Sequence, residues 1–223
     1  MEKQQLILNT LKEKASTKQS VYRVNQETFE LLKLVTEELA KELNTSIQEI
    51  DKNVTLSFEN KGKFEAKLQF SGDVLVYHMH SNTFLFDKSH HIWKSSYVKE
   101  DKYRGYCGVI NIYNFLNDSF KYNRINDLGF LVARIFINKD KHFFVEGDGR
   151  LGFLFNDFKN DIINAEIIKK IVEELIIHAM NFELISQPFK EVQIVSLHQV
   201  LEMSKNLKLK TAKKLGYKFK GEK

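Results

Sequence analysis

The residues best suited to chemistry lie in one stretch, Asp73 to Trp93 (DVLVYHMHSNTFLFDKSHHIW), which holds four of the chain's seven histidines. His78 and His80 are two apart on an expected strand, so both imidazoles leave the same face, as two ligands of one metal must. Asp87 follows, and His90 in the next loop is the third candidate ligand. Imidazole and carboxylate donors would favour zinc, iron or manganese. The chain has no HExxH or HxHxDH string, and a half-wet sheet face accounts for the pair without any metal.

A second candidate is the polar string Asn111, Asn114, Asp118, Asn123, Arg124 and Asp127, interleaved with Ile112, Tyr113, Phe115 and Phe120. Apolar walls carrying a few oriented donors and acceptors suit a small polar ligand, and Arg124 could pair an anionic group on it. The competing reading is turn chemistry, since Asn and Asp cap short helices and bond to their own backbone in tight turns. Cys107, the single cysteine, excludes an internal disulfide and a multi-cysteine zinc site. Its position in an expected strand beside Gly108 and Val109 reads as an inert core thiol rather than an activated nucleophile. Gly147, Asp148 and Gly149 lack the Lys-Ser/Thr and the helix of a phosphate loop and read as a hairpin turn.

The third candidate is the C-terminal tail. From Lys205 to Lys223 there are eight lysines and one acid, whereas the rest of the chain is mildly acidic within a net charge of +5. Lys208, Lys210, Lys213, Lys214 and Lys218 with Tyr217 could lie along RNA, DNA or an acidic protein, the ring being available to stack. Alternation of lysines with Leu207, Leu209, Leu215, Tyr217 and Phe219 also suits an edge strand docked on the body. Only five of the 34 basic residues are arginines, the side chain that grips phosphate bidentately, so the charge by itself argues little.

These candidates need elements to position them. The composition, 43% hydrophobic and 28% charged, is that of a folded soluble protein. No apolar run is long enough to span a membrane and no signal segment opens the chain, so a cytosolic protein with no membrane partner is expected. Ile7, Leu8 and Leu11 suggest a short helix, interrupted by Ser16 to Ser20. A second helix is expected to start at Asn25 as N-cap and end near Leu43, with a capping box at Ser46 to Glu49 opening a further turn. From Val54 the period becomes two: a hairpin over Val54 to Phe58 and Phe64 to Phe70, then Asp73 to His80, a turn at Ser81 and Asn82, and Thr83 to Asp87 closing a four-strand meander.

His90 to Tyr103 reads as a long loop, Tyr106 to Ile112 as extended, and Ile112 to Phe120 as a short helix. A second meander is expected over Leu128 to Asn138, His142 to Glu146 and Arg150 to Phe155. Ile163 to Asn181 is the longest helix, with a wide apolar stripe. Val192 to Leu197 reads as a last strand and His198 to Leu207 as a last helix.

This order makes an α+β chain, with a mainly antiparallel sheet built from two meanders, N-terminal helices and one long amphipathic helix packed on it. Residues 1–204 read as one domain, helical over 1–51 and sheet plus long helix over 52–204, followed by the basic tail 205–223. The functional expectation is a non-enzymatic binding module for a small polar ligand or a partner macromolecule. A metal-dependent enzyme centred on His78 and His80, and a nucleic-acid-binding protein using the tail, are the alternatives.

Overall fold

A computed structural model describes residues 2–147, 149–186, 188–198, 200–201 and 216–219. Its first feature is an almost unbroken helix, α1 (Glu2–Thr10) and α2 (Ser16–Gln48), joined by one π-helical turn over Leu11–Ala15. The expected interruption at Ser16 to Ser20 is absent. Thr17 instead donates its hydroxyl back to the Glu13 carbonyl at 2.7 Å, the intrahelical alternative open to a mid-helix threonine. Asn25 caps nothing; it is buried in the middle of α2 against Gly108, where the missing side chain leaves room for the amide. Ser46 likewise bonds back to the Glu42 carbonyl at 3.1 Å, and the helix runs on to Gln48. Asn44 then accepts from the Leu56 N–H at 2.9 Å, tying the helix end to the first strand.

The sheet contains β1 (Leu56–Asn60), β2 (Glu65–Phe70), β3 (Asp73–Met79), β4 (Phe84–Leu85), β5 (Tyr106–Leu116), β6 (Phe130–Asn138) and β7 (Phe143–Gly147). Its antiparallel order is β1-β2-β3-β5-β6-β7, with β4 also paired to β5. Period-two alternation puts Ala66, Leu68, Leu75, Tyr77, Ile110, Ile112 and Ile135 on one face. That face packs on Phe29, Leu32 and Leu39 of α2 and on Ile168, Ile171 and Leu175 of α6 (Ala165–Met180). Full burial of each such side chain stabilises the fold by roughly 1.5–3 kcal/mol. Asn164 caps α6 by accepting from the Ile167 N–H at 2.9 Å.

Three local expectations fail in informative ways. First, β4 does not fold back on β3. Met79 pairs with Ile110 and Phe84 with Cys107, so β3 and β4 run in one direction along the same partner strand. Residues 80–83 are therefore an excursion from a continuing strand, not a reversal, because the long β5 offers hydrogen-bonding groups to both pieces. Second, β5 continues as a strand to Leu116 before the short helix α4 (Asn117–Lys121) begins. Third, Arg150 to Phe155 is not a strand but a helical turn, α5 (Arg150–Leu154), and Phe155 turns its carbonyl to the Val145 N–H at 2.8 Å.

The outer face of the sheet is half covered. The segment expected to be a loop forms a 3-10 turn over His91–Lys94, the helix α3 (Ser96–Glu100) and a second 3-10 turn over Lys102–Gly105. Ile92, Tyr97 and Val98 from it pack with Cys107, Val109, Phe136 and Phe144 in a second apolar cluster. Tyr97 locks this layer down: its hydroxyl accepts from Asn138 Nδ2 and donates to Asp140 Oδ2, both at 3.0 Å. Burial, with the nearby Asp140 carboxylate, pushes that phenol up to about 12, against the pull of the Asn138 bond.

Beyond α6, β8 (Phe182–Ile185) pairs antiparallel with β9 (Gly216–Phe219), and α7 (Phe189–Val192) lies between them in sequence. Val192 to Leu197 forms no strand; Leu197, His198, Val200 and Leu201 are helical, and the rest of the expected last helix lies outside the described residues. Among the described residues no helix is long and apolar enough to cross a membrane.

Candidate functional site

The six residues of the polar string separate into three environments. Asn111 lies on the outer face, directly opposite His78 on one side and Arg134 on the other. Asn114 faces the helices, is buried, and donates to Asp73 Oδ1 at 3.0 Å. Asp118, Asn123, Arg124 and Asp127 gather at the β5 to β6 connection, where Arg124 Nε sits 3.2 Å from Asp127 Oδ2 and Ser119 donates to the same oxygen at 2.6 Å. Asn123 takes a left-handed backbone there (φ 48°). Asn123, Arg124 and Asp127, with Phe115, Ser119, Phe120 and Ile125, line a cavity of about 230 Å³. Arg124 also lies 3.7 Å from Asp118 Oδ2, so it pairs with both carboxylates of the connection.

Of the three histidines, His80 and His90 make local bonds. His78 belongs to a cross-strand row, Glu65, His78, Asn111, Arg134 and Glu146, that crosses the uncovered half of the outer face. Arg134 and Glu146 form a close ion pair, and His90 Nε2 lies 3.5 Å from the other Glu146 oxygen. His90 Nδ1 accepts from the Ile92 N–H at 3.4 Å, and its ring stacks on Phe86 with centroids 4.4 Å apart. His80 Nδ1 accepts from the Asn82 N–H at 3.0 Å. Among the described residues no three His, Cys, Asp or Glu side chains converge on a point that could hold a metal ion. Cys107 is fully buried, and burial drives its thiol far above the ordinary range. Lys208, Lys210, Lys213 and Lys214 lie outside the described residues, while the backbone of Tyr217 and Lys218 belongs to β9, paired with Leu184 and Glu183.

The excursion between β3 and β4 builds something that neither string announced. Ser81, Asn82, Thr83 and Phe84 form one wall of a groove of about 650 Å³ whose other wall is Lys18, Gln19 and Tyr22 of α2. Thr83 Oγ1 donates to the Lys18 carbonyl at 3.3 Å and ties the walls together. The Asn82 to His80 bond holds the excursion in shape and leaves the His80 ring edge-on to Phe84, 4.8 Å between centroids. Four uncharged hydrogen-bonding side chains, Gln19, Ser81, Asn82 and Thr83, thus share the groove lining with a tyrosine and a phenylalanine ring. The groove is shallow and open, with five of its seven lining residues exposed.

The charge around the groove is one-sided. Among the described residues Lys18 is the one charged residue in the lining, and no carboxylate joins it. Lys63 adds a second ammonium, 5.4 Å from the centroid of the Tyr22 ring. The cleft between α4 and the outer side of β1 and β2 is lined instead by Glu59 as well as Lys61 and Lys67, and is smaller, about 260 Å³. The sequence does flag Ser81 and Asn82 as a chain feature, but Lys18, Gln19 and Tyr22 carry no local signal. They lie some sixty residues away on a stretch whose serines and threonine suggest a break.

Comparison of the chain with known protein-family models, with curated proteins and with solved structures gives no match to any of them.

Proposed function

We propose that the chain is a non-enzymatic binding module for a small polar ligand, and that the groove between α2 and the β3 to β4 excursion is where that ligand sits. One observation carries the reading: Gln19, Ser81, Asn82 and Thr83 line one groove together with the Tyr22 and Phe84 rings. Donors and acceptors on an aromatic frame orient a polar ligand and exclude water from its apolar parts. The sheet fixes one wall, through the ladders on either side of the excursion, and the long helix fixes the other. Little reorganisation would then oppose binding. A cytosolic setting belongs to the same reading, supported by a single cysteine kept as a buried free thiol.

The test is titration of isotope-labelled protein with pools of small polar metabolites, following the backbone amides of Gln19, Tyr22, Asn82 and Thr83. Saturable shifts centred on those four residues are expected for at least one pool. A spectrum unmoved there by every pool at millimolar concentration overturns the reading.

A further inference from the structure

We propose that the ligand class of this groove is a nucleotide, an aromatic base bearing a phosphate, presented either free or within a single strand; the inference rests on the groove being the ligand site. Three properties of the groove select that chemistry together. Tyr22 and Phe84 line the groove, aromatic rings whose faces suit stacking, and Phe84 is 37% exposed. A base presents a flat ring that stacks on such faces whatever its identity. Gln19 and Asn82 carry amides, with donor and acceptor on one group, and these match the mixed edge of a base. Ser81 adds a hydroxyl that can either donate or accept, and the Thr83 hydroxyl, which donates to the Lys18 carbonyl, can still accept.

The charge then supplies the other half of the ligand. Lys18 lines the groove, Lys63 stands over the Tyr22 ring, and among the described residues no carboxylate lines it. A phosphate therefore meets ammonium groups without an acid to repel it. Lysine, a mobile point charge, can follow a phosphate in either presentation. A cationic ligand would instead face like charge.

The experiment titrates the full chain with adenosine 5′-monophosphate, uridine 5′-monophosphate, adenosine, inorganic phosphate and a short unstructured oligonucleotide, reading the amides of Gln19, Tyr22, Asn82 and Thr83. The monophosphates are expected to shift these signals saturably, with adenosine and phosphate each at least about tenfold weaker. Tyr22→Leu is expected to weaken binding by roughly tenfold and Tyr22→Phe to restore it, because stacking needs the ring and not the hydroxyl. Lys18→Glu, at an exposed position, is expected to weaken the monophosphates and leave adenosine unchanged. Tighter binding of the oligonucleotide identifies the source as a strand, and equal binding identifies it as a free nucleotide. Groove shifts with sugars, amino acids or carboxylates but none with nucleotides overturn the nucleotide assignment and leave the binding module standing. Silence at the groove towards every compound overturns both.

Discussion

Asn25 lies so close over Gly108 that a Cβ at position 108 would fall 2.4 Å from the asparagine Cγ. Neither amide atom of Asn25 has a hydrogen-bond partner among the described residues, although the side chain is buried. This is close backbone approach maintained at the expense of a polar group's bonding. Gly108→Ala is expected to destabilise the protein by about 2 kcal/mol through overpacking. Asn25→Ala should cost much less, because it removes unsatisfied atoms together with volume. Urea denaturation of the double variant should show much of the loss recovered; a double variant as unstable as Gly108→Ala alone would mean that another contact is responsible.

The Arg124 and Asp127 pair predicts a larger loss at the β5 to β6 corner. The Asp127 side chain is 1% exposed and Arg124 11%, so removing either leaves a charge largely out of water. Asp127→Ala is expected to cost about 3 kcal/mol in chemical denaturation. That loss should change little between 0.1 and 1 M salt on the order-of-magnitude screening lengths involved, because buried pairs are poorly screened.

Asp101 gives the acid dependence. Partial burial pushes its carboxyl up, but hydrogen bonds from Lys139 Nζ, at 2.6 Å, and from the Tyr103 N–H, at 2.9 Å, outweigh burial and hold it below the usual carboxylate range. A depressed folded-state pKa contributes stability that is fully present above the ordinary carboxyl value, about 3.9, and is lost as pH falls through the folded one. Asp101→Asn should therefore lower the melting temperature at pH 7, and the gap from the parent should close on acidification below about pH 4. A gap that persists at the lowest pH where the protein folds would show that the charge is not what matters.

Cys107 should be silent to reagents while the protein is folded. Complete burial shields the thiol and burial also disfavours its thiolate, the species that reacts. Iodoacetamide at pH 8 is expected to label the chain only after denaturant is added, and mass spectrometry of intact protein reads the result directly.

The sequence was legible where one periodicity dominated its own neighbourhood. Val74, Leu75, Val76, Tyr77 and Met79 alternate as a sheet interior requires, and Ile168, Ile171, Val172 and Leu175 repeat as a helix stripe requires; both elements lie where their patterns put them. It misled where tertiary contacts overrode local preference. Asn25 is a good cap in isolation, but α2 continues through it because Gly108 receives the side chain. The groove was half legible for the same reason: Ser81 and Asn82 look like turn residues, yet nothing local says that the next strand stays on the same partner or that α2 will face the excursion.

Because β5 pairs with the chain on both sides of residues 80–83, the sheet's register does not depend on what those residues are. The excursion behaves as an interchangeable insert in a fixed frame. Exchanging or lengthening it would reshape one wall of the groove while the ladder bonds of β3 and β4 to β5 stayed in register, so that wall could change through a handful of substitutions that the fold would scarcely register.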